Sequence, residues 1–334
     1  MKPVIGISGF GRIGFCALRT AIEEDWEIAA INASRKPSDI ARLFTFDSTH
    51  GKFNGEVSYN DEEGYIIING KEILMLDERK PELIMWKNYG VEYVVECTGK
   101  FKTLAEAGKH LVGGAQRVII SAPSDDAPNF VYGVNHEKYT TDMQIVSAAS
   151  CTTNCLAPIV KVLNDAFGIR SGYMLTTHAV TSKQPPVDSF NAKDHRIARS
   201  SSNIIPTSTG ATKAVGKVVP EVYGKLTGLA LRVPVSDGSI ATLTVNLKKS
   251  VTKRKLLNEV KRASLTPELC ETIEYSTEEL VSSDIIGNTH SCVFDAALTE
   301  VTTPNCATVS CWYDNEMSYT AQMFRLMKYM GEQE

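Results

Sequence analysis

The chain has 334 residues, 43% hydrophobic and 22% charged, which is the make-up of a folded protein and excludes a disordered tail or a collagen-like repeat. Lys and Arg number 35 against 39 Asp and Glu, a net charge of −4, so no basic excess exists to displace counterions from a nucleic acid. No run approaches the roughly 18 apolar residues of a membrane span, and Met1-Lys2-Pro3-Val4-Ile5-Gly6 lacks the long apolar segment of a leader, so a cytoplasmic protein of about two domains is expected.

Strand-like and helix-like stretches alternate over the first 150 residues. Lys2 to Ser8 reads as a strand, Gly11 to Glu24 as a helix and Glu27 to Asn32 as a second strand, with a helix from about Ser38. An insert over Tyr59 to Leu76 carries the run Tyr65 to Leu74, whose Asn69-Gly70 marks a hairpin turn. Val91 to Cys97, Arg117 to Ser121 and Gln144 to Ala148 read as strands, with a helix over Leu104 to Val112. This alternation predicts a parallel sheet.

After Cys151 the texture changes. A helical run over Leu156 to Phe167 contains Pro158, and longer strands follow at Gly172 to Val180, Gly228 to Pro234, Ser239 to Lys248, His290 to Leu298 and Ala307 to Tyr313. Helices are expected over Thr252 to Ser264 and Asn315 to Met330. Thr181 to Ser202 reads as a long ordered loop, and loops of that length are usually functional. The second half is therefore α+β with an antiparallel or mixed sheet.

Gly9-Phe10-Gly11-Arg12-Ile13-Gly14 matches G-x-G-x-x-G between a strand and a helix, the context in which glycines let the backbone approach a pyrophosphate at a helix N-terminus. The second strand ends Ile31-Asn32-Ala33-Ser34-Arg35-Lys36, without the carboxylate that holds the ribose 2′-hydroxyl of NAD. Ser34, Arg35 and Lys36 can pair with the 2′-phosphate of NADP, and the alternative is a solvated basic turn.

The eight cysteines, Cys16, Cys97, Cys151, Cys155, Cys270, Cys292, Cys306 and Cys311, are scattered without a C-x-x-C pair, so free thiols are expected and no metal site. Cys151, in Ser150-Cys151-Thr152-Thr153-Asn154-Cys155, follows a strand and opens a helix, where the dipole lowers a thiol pKa. Cys155 reads as a packed spectator. His178 ends an apolar strand, but His50, His136 and His290 are equal candidates on spacing alone.

These motifs, with Asp47-Ser48-Thr49-His50-Gly51-Lys52-Phe53, Asn203 to Gly210 and Trp312-Tyr313-Asp314-Asn315-Glu316, resemble the glyceraldehyde-3-phosphate dehydrogenase family across the whole chain. The resemblance implies a Rossmann-type doubly wound sheet and an α+β catalytic domain. Residues 1–149 would bind the dinucleotide, residues 150–314 would carry the catalysis, and the helix at 315–334 would pack back on the first domain. It implies a cytoplasmic homotetramer that oxidises glyceraldehyde 3-phosphate with inorganic phosphate through a cysteine thioester. By resemblance Cys151 is the nucleophile and His178 its partner. Thr181 and Arg232 would hold the substrate phosphate, and Ser150, Thr152, Ser208, Thr209 and Gly210 the attacking phosphate. Gly9, Gly11, Arg12, Ile13, Gly14, Ser34, Arg35, Arg79, Thr98, Ser121 and Asn315 would line the cofactor site. Asn32-Ala33-Ser34 is similar to bacterial members that prefer NADP, with NAD as second cofactor. Erythrose-4-phosphate dehydrogenase and a non-catalytic nucleotide-binding paralogue are the alternatives. Val235-Ser236-Asp237-Gly238, Met317-Ser318 and Pro185-Pro186 depart from the family pattern.

Overall fold

The computed structural model describes residues 2–190 and 194–333, which fall into two compact units. Residues 191–193 of the expected long loop, and the last residue of the expected C-terminal helix, lie outside the described residues.

The first unit holds the chain up to Phe130, Lys138–Ala149 and the end from Met323. In order it forms β1 (Ile5–Ser8), α1 (Arg12–Glu23), β2 (Ile28–Asn32), α2 (Pro37–Thr45), β3 (Phe46–Asp47), β4 (Gly51–Lys52), β5 (Val57–Asn60), β6 (Tyr65–Ile68) and β7 (Lys71–Leu76). Then come β8 (Tyr93–Glu96), α3 (Leu104–Ala107), α4 (Lys109–Val112), β9 (Arg117–Ile120) and β10 (Ile145–Ser147). Eight strands share one sheet in the order β10-β9-β8-β1-β2-β7-β6-β5. The six from β10 to β7 are parallel, and every residue of β1 and β8 is buried, as central strands of such a sheet require.

The Asn69-Gly70 turn joins β6 to β7 with φ of 49° and 79°, the left-handed pair a two-residue hairpin needs. Beyond the hairpin, β7 pairs in parallel with β2, so the insert extends the main sheet and adds an antiparallel margin to it. The single helix expected over Leu104 to Val112 is two four-residue turns that meet at Gly108, since glycine weakens a helix interior. At the chain's end, Phe324 packs edge-on against Trp26 at 5.1 Å between ring centroids.

The second unit holds Val131–Glu137 and Ser150–Gln322. Its elements are α5 (Cys151–Phe167), β11 (Ile169–His178), β12 (Ile205–Thr207), α6 (Ala211–Val218), β13 (Leu226–Arg232), β14 (Ser239–Leu247), α7 (Lys253–Ala263), β15 (Ile273–Ser276), β16 (Cys292–Thr303), β17 (Cys306–Tyr313) and the first residues of α8 (Met317–Glu332), which from Met323 counts with the first unit. The sheet order is β12-β13-β11-β14-β17-β16-β15. Pairs β11·β13 and β15·β16 are parallel and the other four antiparallel, so the sheet is mixed and the molecule is α/β.

Pro158 does not break α5. Its missing N–H would have met the Asn154 carbonyl, and the buried Ser291 hydroxyl donates to that oxygen instead, at 3.0 Å. The last helix begins at Met317 rather than Asn315. Asp314 accepts from the N–H groups of Glu316 and Met317, both at 2.7 Å, and holds the two preceding residues in a lead-in turn.

Candidate active site

In the first unit the residues singled out in the sequence gather at one edge of the sheet. β9, β8, β1, β2 and β7 are adjacent and parallel, and their C-terminal ends lead into Ser121, Thr98, the Gly9–Gly14 turn, Ser34 with Arg35, and Arg79. β1 lies between β2 and β8, so the chain leaves it in opposite directions, which is where open α/β sheets hold their ligands.

The three glycines have different reasons. A Cβ on Gly14 would strike the Gly9 carbonyl oxygen, and one on Gly9 would lie 2.7 Å from the Thr98 nitrogen, so both are demanded by packing. A Cβ on Gly11 would meet nothing within 4 Å. Gly11 caps α1 without a side-chain bond, leaving the helix N–H groups for an anion, and the residues fit a dinucleotide pyrophosphate.

Arg12, in the first turn of α1 beside the half-buried Ile13, forms an ion pair with Asp47. Asp47 also accepts from Thr49 N–H at 2.7 Å and His50 N–H at 2.6 Å. Burial works against its charge, but the bonds from Arg12 and the His50 and Thr49 backbone hold its carboxyl down at about 2. Thr98 is placed by a buried chain that spacing does not reveal. Trp86 Nε1–H donates to His110 Nδ1 at 3.0 Å, and His110 Nε2 lies 3.1 Å from Glu96 Oε2. Glu96 Oε1 in turn accepts the Thr98 N–H at 2.7 Å.

In the second unit, Ser150 caps α5 by accepting the Thr153 N–H at 3.1 Å, and Cys151 is the first residue of the helix. Thr152 Oγ1 lies 3.0 Å from the Tyr313 hydroxyl. His178, at the end of β11, brings Nε2 to 3.4 Å from Cys151 Sγ. Its Nδ1 lies 2.8 Å from the Ala179 carbonyl, which can only accept, so Nδ1 carries the hydrogen and the Nε2 lone pair faces the thiol. The other candidates are engaged elsewhere: His50 at 3.7 Å from Cys16 Sγ, His136 with Gly133 N–H, and His290 with Asn288 and Glu274.

Burial and neighbouring charges act on Cys151 besides the helix dipole. Burial pushes the Cys151 thiol up, against the opposing pull of the Arg232 charge and the Thr152 bonds. Burial and the same Arg232 charge hold His178 down at about 3. The thiol and the imidazole face each other at 3.4 Å as proton donor and acceptor. Cys151 stays partly exposed, whereas Cys155 is buried with its thiol pushed up by burial, a packing residue.

Arg232 pairs with His178 across β13 and β11, and its Nη1 donates to the Ala179 carbonyl at 3.3 Å. The buried Ser239 ties the other side. Its hydroxyl donates to Asn315 Oδ1 at 2.7 Å and accepts the Ala179 N–H at 3.0 Å. Asp237 accepts the Asn315 N–H at 3.2 Å, and burial and the adjoining Asp314 push its carboxyl up. Hydrogen bonds thus join Cys151, His178, Arg232 and Asn315 into one group. Thr181 and the Ser208-Thr209-Gly210 turn have neighbours of their own. Thr181 donates its N–H and hydroxyl to Gln184 Oε1 at 2.9 and 2.7 Å, and Gly210 caps α6. Sequence spacing missed Gln184, Ser239, Glu96 and His110, because each acts on a neighbour that only folding supplies.

The family profile described as glyceraldehyde 3-phosphate dehydrogenase, C-terminal domain, matches residues 150–315, and the NAD binding domain of the same family matches residues 3–104. A glyceraldehyde-3-phosphate dehydrogenase from Ogataea parapolymorpha is 48% identical over 99% of both chains. One from Glossina morsitans morsitans is 48% identical over 98% of each. Glyceraldehyde-3-phosphate dehydrogenase 1 of Saccharomyces cerevisiae is 47% identical over 98% of this chain and 99% of its own.

Proposed function

The chain belongs to the glyceraldehyde-3-phosphate dehydrogenase family, and on that premise we propose how its own residues perform the phosphorylating oxidation of glyceraldehyde 3-phosphate. The Cys151 thiol passes its proton to His178 Nε2 as Sγ bonds to the aldehyde carbon. The resulting oxyanion is met by the Cys151 N–H at the start of α5 and by the imidazolium, giving a hemithioacetal. A bound nicotinamide supplies the acceptor for the hydride that leaves this carbon. His178 takes the hydroxyl proton in the same oxidation, and the product on Cys151 is a thioester. Phosphate then attacks the thioester carbon, the C–S bond breaks with the pair staying on sulfur, the Cys151 thiolate takes back the proton held by His178, and the acyl phosphate departs.

Arg232 and Thr181 hold the substrate's own phosphate. Ser150, Thr152, Ser208, Thr209 and Gly210 hold the attacking one, the last three at the N-terminus of α6, whose positive end favours an anion. Asn315 donates to the nicotinamide carboxamide. Gly9, Gly11, Arg12, Ile13 and Gly14 take the pyrophosphate, with Arg79, Thr98 and Ser121 around the rest of the cofactor. Residues 1–149 act as the dinucleotide-binding domain and 150–314 as the catalytic one. NADP is preferred and NAD is used, a reading supported by Ala33 in place of a carboxylate and by the exposed Arg35 and Lys36 beside it. The chain acts as a homotetramer in the cytoplasm, which the family resemblance supports. Among the described residues, no helix is long and apolar enough to cross a membrane.

The observation that carries the chemistry is the 3.4 Å approach of His178 Nε2 to Cys151 Sγ with Nδ1 tied to the backbone. Steady-state kcat/KM with glyceraldehyde 3-phosphate, for NADP and NAD, with and without inorganic phosphate, tests the whole reading. Phosphate-dependent turnover with the higher kcat/KM for NADP is expected. Turnover indifferent to phosphate would overturn the acyl-phosphate step, and a higher value for NAD the cofactor preference.

A further inference from the structure

β2 ends without a carboxylate, but its neighbour brings one to the same place. Asn32 of β2 stands opposite Leu76 of β7, and the Ala33 N–H donates to the Leu76 carbonyl at 2.8 Å. The next residue of that strand's exit is Asp77. The residue after it, Glu78, is pinned by the buried Asn32 side chain, whose Nδ2 donates to the Glu78 carbonyl and whose Oδ1 accepts the Glu78 N–H, both at 2.9 Å. Asp77 Oδ1 accepts from the Ser34 hydroxyl at 2.6 Å. Asp77 and Ser34 line an open cleft of about 410 Å³, together with Arg35, Lys36 and Leu76.

The cleft, which Asp39 also lines, therefore offers two carboxylates and two cations to whatever enters it, with Asp77 the carboxylate bonded to Ser34 at the end of β2. A ribose 2′-hydroxyl is a donor that suits the carboxylate, and a 2′-phosphate is an anion that suits the cations and is opposed by the carboxylate. We propose that Asp77 is a specificity residue of the nucleotide site, accepting the 2′-hydroxyl of NAD and opposing the 2′-phosphate of NADP. It stands in for the carboxylate that position 33 lacks, delivered by the adjacent strand rather than by β2. Arg35 and Lys36 pull the other way, so the balance of the two walls keeps both cofactors in use. This rests on reading the cleft as the adenosine end of the dinucleotide site.

The test is calorimetric titration of NAD and NADP into the wild-type protein, Asp77→Asn, and Arg35→Ala with Lys36→Ala. Asp77→Asn keeps an acceptor for Ser34 and removes the charge at an exposed position, so folding is not at issue. It should shift the ratio of the two dissociation constants about tenfold toward NADP, the size of one charged hydrogen bond. The double variant should shift the ratio toward NAD. A ratio that stays within about twofold in Asp77→Asn while the double variant moves it would overturn the role of Asp77 and leave the cleft assignment standing. No shift in either would remove the nucleotide from the cleft, and the proposal with it. A wild type that favours NAD but gains NADP affinity in Asp77→Asn would support Asp77 and overturn only the NADP preference.

Discussion

His178 draws its chemical role from a tautomer. The Ala179 carbonyl holds the Nδ1 hydrogen, and the free lone pair on Nε2 turns a raised thiol into a usable nucleophile at neutral pH. His178→Asn should lower dehydrogenase activity by about 10²–10⁴-fold. Alkylation of Cys151 by iodoacetamide separates this role from a merely structural one. In the variant the thiol must ionise alone, so its labelling rate should climb steeply with pH above the ordinary thiol range, while the wild type labels readily near neutrality. Parallel pH profiles for the two proteins would defeat the general-base role. Ser239 shows a different kind of contribution. It touches no reacting atom, yet one hydroxyl bonds both Asn315 and the backbone of Ala179.

Among the elements, α5 shows how a local fault is corrected from a distance. Pro158 leaves the Asn154 carbonyl without its helical donor, and Ser291, far along the chain, fills the gap. Ser291→Ala should therefore destabilise the protein by about 1–3 kcal/mol, the cost of an unmet buried carbonyl. Urea unfolding measures this, and a change below about 0.5 kcal/mol would mean that α5 absorbs the proline unaided. The β1–α1 turn carries a related lesson. Two of its glycines are fixed by the approach of Gly14 to the Gly9 carbonyl and of Gly9 to Thr98, whereas Gly11 has open space. The Trp86–His110–Glu96 chain then sets Thr98 against that turn from within the core.

For the whole molecule, acid stability offers a readout of the Arg12–Asp47 pair. The Asp47 carboxyl is held at about 2 against an ordinary 3.8, so the folded state binds its proton less readily than the unfolded one. The stabilisation is complete above about pH 4 and is lost as pH falls toward about 2. Asp47→Asn should melt below the wild type at neutral pH, and the gap should close over that acid window. A gap that stays constant on acidification would mean the ion pair contributes nothing beyond packing.

Periodicity, glycine spacing and turn chemistry are local properties, and they determined much of this protein. The alternation of strands and helices, the Gly9–Gly14 fingerprint, the Asn69-Gly70 hairpin and the change of texture at Cys151 were all legible, because each depends on neighbours in the chain. Cys151 could be named from its place at a helix start, but its electrostatics could not. The dipole is a local effect, and the burial that opposes it is made by distant residues. Spacing could not choose His178 over His50, His136 and His290; the resemblance named it, and the fold brings it to the sulfur by setting the end of β11 beside the start of α5. The fold likewise sets Ser291 beneath Pro158 and Asp77 beside Ser34. A carboxylate delivered by parallel pairing with β7 leaves no mark on the β2 sequence that it serves.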